Sequence, residues 1–253
     1  MDSLIFVFGV AVLAFGAGMV GLKLHEWLPE KHAPEKSREM IGAMTGLLGL
    51  LLALVLGTLI GSAYALYAIE KSEIETLSAR SLQLDMALEA FGPEAQPGRD
   101  GLRKAITESY NRIWGNNTAE VADLSVKSSL EGTKILDGFL ATLTPKTDAQ
   151  KQALAAATAA ATQIGQTRIL MDLQLASGVN WAMLSIVVAW SLLLFCGYGL
   201  VSPVNATVMV SLGLGAVAVA SAMFLIIELT DPFVGVLKLS PGPVQETLKA
   251  LGT

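Results

Sequence analysis

Hydrophobic positions in this chain gather into four long runs, arranged as two pairs with about 110 mostly polar, Ala-rich residues between them. Each run approaches or exceeds the roughly 20 apolar residues that cross a bilayer's hydrocarbon layer. Both inner flanks lead into the same insert, which is therefore expected on one side of a membrane. The pattern predicts an all-α, polytopic membrane protein with four transmembrane helices in a 2+2 arrangement around an extramembrane helical insert. The expected divisions are transmembrane helices at 4–22, 40–68, 179–200 and 206–229, a charged hairpin loop at 23–39, an extramembrane helical bundle at 69–178, and a C-terminal tail at 230–253.

The finer periodicity adds detail to three of these divisions. In the first run, Ala14, Ala17, Gly18 and Gly21 stand four residues apart in pairs, a spacing that lets helix backbones approach closely. The run begins Met1-Asp2-Ser3, with no basic residue before it, so a membrane helix is expected rather than a secretory signal. The second run carries no charge from Met40 to Ala68 and would reach roughly 40 Å as a helix. One of its faces presents Gly42, Gly46, Gly49, Ala53, Gly57 and Gly61, of which Gly42, Gly46, Gly57 and Gly61 are candidate helix-packing residues. Another face presents Met44, Leu47, Leu51, Leu54, Thr58 and Ser62. Leu47, Leu51, Leu54, Thr58 and Ser62 are candidate pore-lining residues, because hydroxyls can hydrogen-bond the waters of a passing ion. The competing reading is that Thr58 and Ser62 bond their own helix backbone.

Past Ala68 the helix is expected to continue. Ile74, Leu77, Ser81, Leu84, Leu88 and Phe91 recur at spacings of three and four with charges between them, the pattern of an amphipathic helix. Gly92-Pro93 and Pro97-Gly98 should end it. A further helix is expected from Arg99 to Trp114, broken by Asn116-Asn117-Thr118, and a looser helical stretch from Ala119 to Leu143, stopped by Pro145. Thr147-Asp148 should cap a last helix through the alanine-rich segment to about Ala176. No alternating strand pattern is present.

Composition narrows the function classes. In 253 residues, 53% are hydrophobic and only 15% charged, with mean hydropathy +0.56, too apolar for an ordinary soluble domain. The net charge of -5 and the lack of a Lys/Arg cluster argue against a nucleic-acid partner. The lone cysteine, Cys196, lies inside an apolar run and is expected to pack. His25, His32 and Glu26 lie in the charged hairpin at 23–39, which also holds Pro29 and Pro34, and a solvated loop with Trp27 as interfacial anchor is favoured there over a metal or proton site. No nucleophile-base-acid set, metal-spaced cluster or Gly-rich phosphate loop can be assembled. No catalytic residue, metal or cofactor is assigned, and the chain is not expected to be an enzyme. At the end of the fourth run, Glu228 and Asp231 precede Pro232-Phe233. Carboxylates at the edge of a span can bind a cation, gate a pore, cap a helix or pair with the arginines of the insert.

Several stretches carry a family resemblance: Tyr198-Gly199-Leu200, Ser202-Pro203-Val204-Asn205-Ala206, Phe224-Leu225-Ile226-Ile227-Glu228-Leu229-Thr230-Asp231-Pro232-Phe233-Val234-Gly235, and Leu239-Ser240-Pro241-Gly242-Pro243. Together with Glu75, Tyr110, Trp114, Arg168 and Trp181, they resemble the bacterial bestrophin-like membrane proteins. The resemblance implies an oligomeric ion channel of bestrophin-like architecture, conducting anions, with the second span lining the pore. It makes Glu228, Asp231, Pro232, Phe233 and Arg168 candidate structural or gating residues. The expected partners are the lipid bilayer, further copies of the chain and an inorganic ion. The expected location is the bacterial inner membrane. One departure stands out, since Met40 to Gly61 holds no Phe, Tyr or Trp where bestrophins narrow the pore with aromatics. A constriction would fall to Leu47, Leu51 and Leu54, closing by dewetting.

Two matters stay open on sequence. The four basic residues of the hairpin would put it in the cytoplasm and the insert outside, whereas Lys71, Arg80, Arg168, Lys238 and Lys249 and the family resemblance place the insert in the cytoplasm, the side narrowly favoured. The alternative to a channel is a non-conducting membrane scaffold or regulatory subunit whose insert binds a partner. It is motivated by spans whose middles carry no charge and by the lack of a recognisable filter. The insert, with 11 basic and 14 acidic residues from Ile69 to Gly178, does not itself attract anions.

Overall fold

The computed structural model describes residues 2–27, 35–115, 126–175, 180–233 and 235–252. Within them the chain forms eight α-helices: α1 (Asp2–Trp27), α2 (Glu35–Phe91), α3 (Gln96–Trp114), α4 (Val126–Thr142), α5 (Asp148–Leu175), α6 (Trp181–Val201), α7 (Ala206–Thr230) and α8 (Gly242–Ala250), with a 3₁₀ turn at Pro93–Ala95. The described residues contain no strand. Four helices, α1, α2, α6 and α7, are long and apolar enough to cross a membrane. In hydrocarbon the helix is the favoured form because it satisfies every backbone donor and acceptor internally. The expected hairpin stops at Pro29 and Pro34, His32, and the Asn116-Asn117-Thr118 break lie outside the described residues.

The chain divides into two compact units, residues 1–66 with 179–230 and residues 67–178 with 231–253. In the first unit α1 packs along α6 and α7. Its core joins Val10, Ala14 and Leu22 of α1, Leu52 and Leu56 of α2, Val187, Leu194 and Phe195 of α6, and Leu212, Ala216 and Met223 of α7. The small residues of α1 have a physical use here. A methyl group on Gly21 would collide with the Cys196 backbone carbonyl, and one on Gly199 would collide with the Gly18 carbonyl. The two backbones therefore touch where Gly18 and Gly21 face Gly199. Asn180 and Asn205 start α6 and α7 by accepting hydrogen bonds from the Met183 and Val208 backbone N–H at 3.1 and 2.8 Å. His25 lies within α1 rather than in a loop, and its Nδ1–H donates to the Leu200 carbonyl at 2.7 Å. That bond satisfies a carbonyl in the last turn of α6, where no backbone donor remains.

The second unit is built around α2 from Tyr67 onward. The expected amphipathic stripe is present: Leu84, Leu88 and Phe91 are buried against Leu140 and Leu143 and against Ala153, Ala157, Ala160 and Ala161 of α5. The alanine run thus serves close packing as well as helix propensity. Helix α2 ends at Gly92, whose φ of +117° suits glycine and whose N–H bonds the Leu88 and Glu89 carbonyls. Pro97-Gly98 does not end a helix. It lies in the first turn of α3, where proline costs no hydrogen bond. Thr147 caps α5 as expected, its Oγ1 accepting from the Gln150 N–H at 3.1 Å. After Thr230 the chain turns through Asp231-Pro232, and the segment to Leu239 is closed by the Leu239 N–H donating to the Pro232 carbonyl at 3.0 Å. Phe233 and Leu239 then pack with Ile74 and Met171.

Candidate functional site

The second helix carries the residues that sequence reading singled out for a pore. Thr45, Leu52, Leu56 and Ala63 turn inward and are buried, and Gly49 lies against Leu194 and Tyr198 of α6. The opposite side is exposed in the single chain: among the described residues Leu47, Leu51 and Leu54 are 54%, 43% and 65% exposed, and Thr58 and Ser62 are exposed with them. The Thr58 hydroxyl donates to the Val55 carbonyl of its own helix at 2.9 Å. Its proton is thereby engaged, and toward the open side it presents only lone pairs. Gly42, Gly46, Gly57 and Gly61 meet nothing within 4 Å where a Cβ would stand. In the first unit the close approaches belong to Gly18, Gly21, Gly49, Gly197, Gly199 and Gly215 instead.

At the end of α7 the candidate residues separate into different environments. Glu228 is buried and accepts a hydrogen bond from the Ser3 hydroxyl at 2.8 Å, which joins the two ends of the first unit's chain segments. Asp231 is exposed, while Pro232 and Phe233 are buried. Trp114 of α3 donates from Nε1 to the Leu239 carbonyl at 2.9 Å. The Gln245 side chain of α8 donates to the Tyr110 hydroxyl at 2.8 Å. Two family-resemblance aromatics of α3 thus hold the C-terminal segment within the second unit.

That unit contains a group of carboxyls that sequence reading did not single out. Glu70, two residues past the uncharged run, is only 1% exposed, and its Oε2 finds no hydrogen-bond partner among the described residues. The same holds for Oε2 of Glu73 and Oδ2 of Asp172. Burial, then the neighbouring Glu73 and Asp231 carboxylates, push the Glu70 carboxyl from 4.5 up to about 7. Burial also raises Glu73, opposed by a hydrogen bond from the Gln174 side chain. A signal was available: Glu70 stands four residues before Ile74, on the same inward stripe as Leu77, Leu84 and Leu88. Among the described residues no group of His, Cys, Asp and Glu is arranged to hold a metal ion.

Arg168, on α5, is partly buried. It lines a cavity bounded by Ile74 and Leu77 of α2, Leu102, Ile106 and Trp114 of α3, and Val244 of α8.

A family model, the bestrophin-like domain, matches residues 10–244. The chain belongs to the bestrophin-like family. The match runs from within α1 into α8 and includes every stretch on which the sequence resemblance rested. This bestrophin-like chain is accordingly a membrane protein, in keeping with its four long apolar helices. No curated protein and no solved structure matches it.

Proposed function

We propose that this bestrophin-like protein is one subunit of an oligomeric ion channel, two spans on either side of a helical insert, with α2 lining the pore. The observation that carries the reading is the one-sided burial of α2. Thr45, Leu52, Leu56 and Ala63 pack inward, while the face of Leu47, Leu51, Leu54, Thr58 and Ser62 is exposed among the described residues. A ring of copies around that face would leave three leucine layers as a hydrophobic constriction and Thr58 and Ser62 as a hydroxylated stretch beyond it. The glycines with open space beside them, Gly42, Gly46, Gly57 and Gly61, are then available for contacts between copies. Anion conduction, a bacterial inner-membrane location and a cytoplasmic insert follow from the family resemblance and belong to the same proposal.

The test is reconstitution into liposomes with measurement of halide and potassium flux, together with native mass measurement of the purified assembly. A symmetric oligomer is expected, with flux that rises when Leu51→Thr widens and wets the constriction. A monomer that passes no ion overturns the reading. Such a monomer with a stoichiometric co-purifying protein would place the chain as a membrane scaffold or regulatory subunit instead.

A further inference from the structure

The second unit holds a partly open cavity of about 130 Å³ among α2, α3, α5 and α8. Its wall is mostly hydrocarbon, from Ile74, Leu77, Leu102, Ile106, Ile113 and Met171, with the Trp114 ring on the α3 side. No Asp or Glu lines it, and its one charged residue is Arg168.

Arg168 differs from Arg99, another partly buried arginine of the unit, in how it is served. Arg99 is held by two hydrogen bonds to Asp85. Arg168 makes no hydrogen bond and has no carboxylate within 4 Å among the described residues. Burial holds its guanidinium below the usual arginine range; Asp172 works against that shift and Arg112 adds to it. A guanidinium taken out of water without a hydrogen-bonded anion is costly. Its planar fork matches a carboxylate, which can accept two parallel hydrogen bonds. The hydroxyls of Ser78, Ser81 and Ser109 also line the cavity and can donate to a carboxylate oxygen that the guanidinium leaves over.

Size limits the occupant. An apolar cavity of roughly 150 Å³ admits a benzene ring, so about 130 Å³ suits a ring or a short branched chain. We propose that this cavity binds a small apolar carboxylate, its hydrocarbon against Leu102, Ile106 and Trp114 and its charged end on the Arg168 guanidinium. The site is separate from the α2 pore face and stands whether or not the chain conducts.

Sodium benzoate serves as the probe, titrated into the full-length protein in lipid nanodiscs while tryptophan fluorescence and binding heat are followed. Saturable binding at millimolar concentration is expected. Benzyl alcohol, with the same ring and no charge, is expected to bind at least 10-fold more weakly, as is benzylamine. Arg168→Gln is expected to weaken benzoate at least 10-fold and to leave benzyl alcohol unchanged. Ala105→Phe, which sets a ring at the cavity's exposed rim and keeps the arginine, is expected to weaken the binding of both, and it decides the matter if Arg168→Gln does not fold. Unsaturable benzoate uptake, equal affinity for benzyl alcohol, or benzoate binding undiminished in Ala105→Phe overturns the proposal.

Discussion

Arg99 grips Asp85 with two hydrogen bonds, Nε to Oδ1 at 2.7 Å and Nη2 to Oδ2 at 2.9 Å, and Glu89 lies 3.5 Å from the same Nη2. Asp85 belongs to α2 and Arg99 to the first turn of α3, so the pair braces the corner that the chain turns at Gly92. Asp85 is buried, and removing the guanidinium would leave its carboxylate without that partner. Arg99→Met is expected to cost about 2–3 kcal/mol, read from denaturant unfolding of the second unit's helices. Arg99→Lys should recover only part of this, because an ammonium cannot make both bonds at once. A cost below about 0.5 kcal/mol, the usual range for neutral surface changes, would refute the brace.

The glycines of α1 and α6 should be far less tolerant than those of α2. Gly21→Ala and Gly199→Ala each put a methyl group into the neighbouring backbone, and a backbone cannot swing aside as a side chain can. Each is expected to lower stability by about 1–3 kcal/mol or more, the range for overpacking. Gly57→Ala meets open space in the single chain and should leave the monomer fold unchanged. Thermal melts of the three purified variants check the contrast. Equal melts for Gly21→Ala and wild type would contradict the close crossing.

Glu70 predicts a pH dependence with a definite sign. Its carboxyl is raised from 4.5 to about 7, so between these values the folded chain holds a proton that the unfolded chain has released. The associated stability is complete below pH 4.5 and is lost as pH rises through about 7. Glu73, also raised by burial, acts in the same direction. The melting temperature should therefore fall across this window in wild type and fall less in Glu70→Gln, whose amide carries no charge. The same slope in both proteins would sink the assignment.

Gly235 has φ of +108°, a conformation that side-chain-bearing residues rarely adopt. Gly235→Ala is expected to cost about 1–2 kcal/mol and to loosen the loop closed by the Leu239 N–H and the Pro232 carbonyl. Faster hydrogen exchange at Leu239 is the direct readout. Unchanged exchange would show that the loop is held by other contacts.

The sequence pattern made the helices legible where the burial was one-sided. Leu84, Leu88 and Phe91 kept the spacing of three and four because a single face of α2 meets α4 and α5, and local periodicity records that. The start of α3 was misjudged by a few residues because Pro97 reads as a breaker, yet a first-turn proline gives up no bond. The candidate site was less legible. Small residues four apart announce that a backbone can approach, not which one does, so the α1 and α2 stripes looked alike although only Gly18 and Gly21 of α1 face another backbone. Glu70 is easily passed over because it stands just beyond the uncharged run, although its register places it on the inward face. The Arg168 cavity draws on four helices far apart in the chain, and no local pattern records such a gathering.

The contact of Gly18 and Gly21 with Gly199 also bears on motion. Two helices whose main chains interlock cannot slide along or rotate about each other without lifting apart, so α1 and α6 move together. Helix α2 touches α6 through only one of the glycines on its stripe, Gly49, and its other four glycines adjoin open space. In the proposed channel, the interlocked pair would serve as the fixed post of a gate and α2 as its hinged leaf.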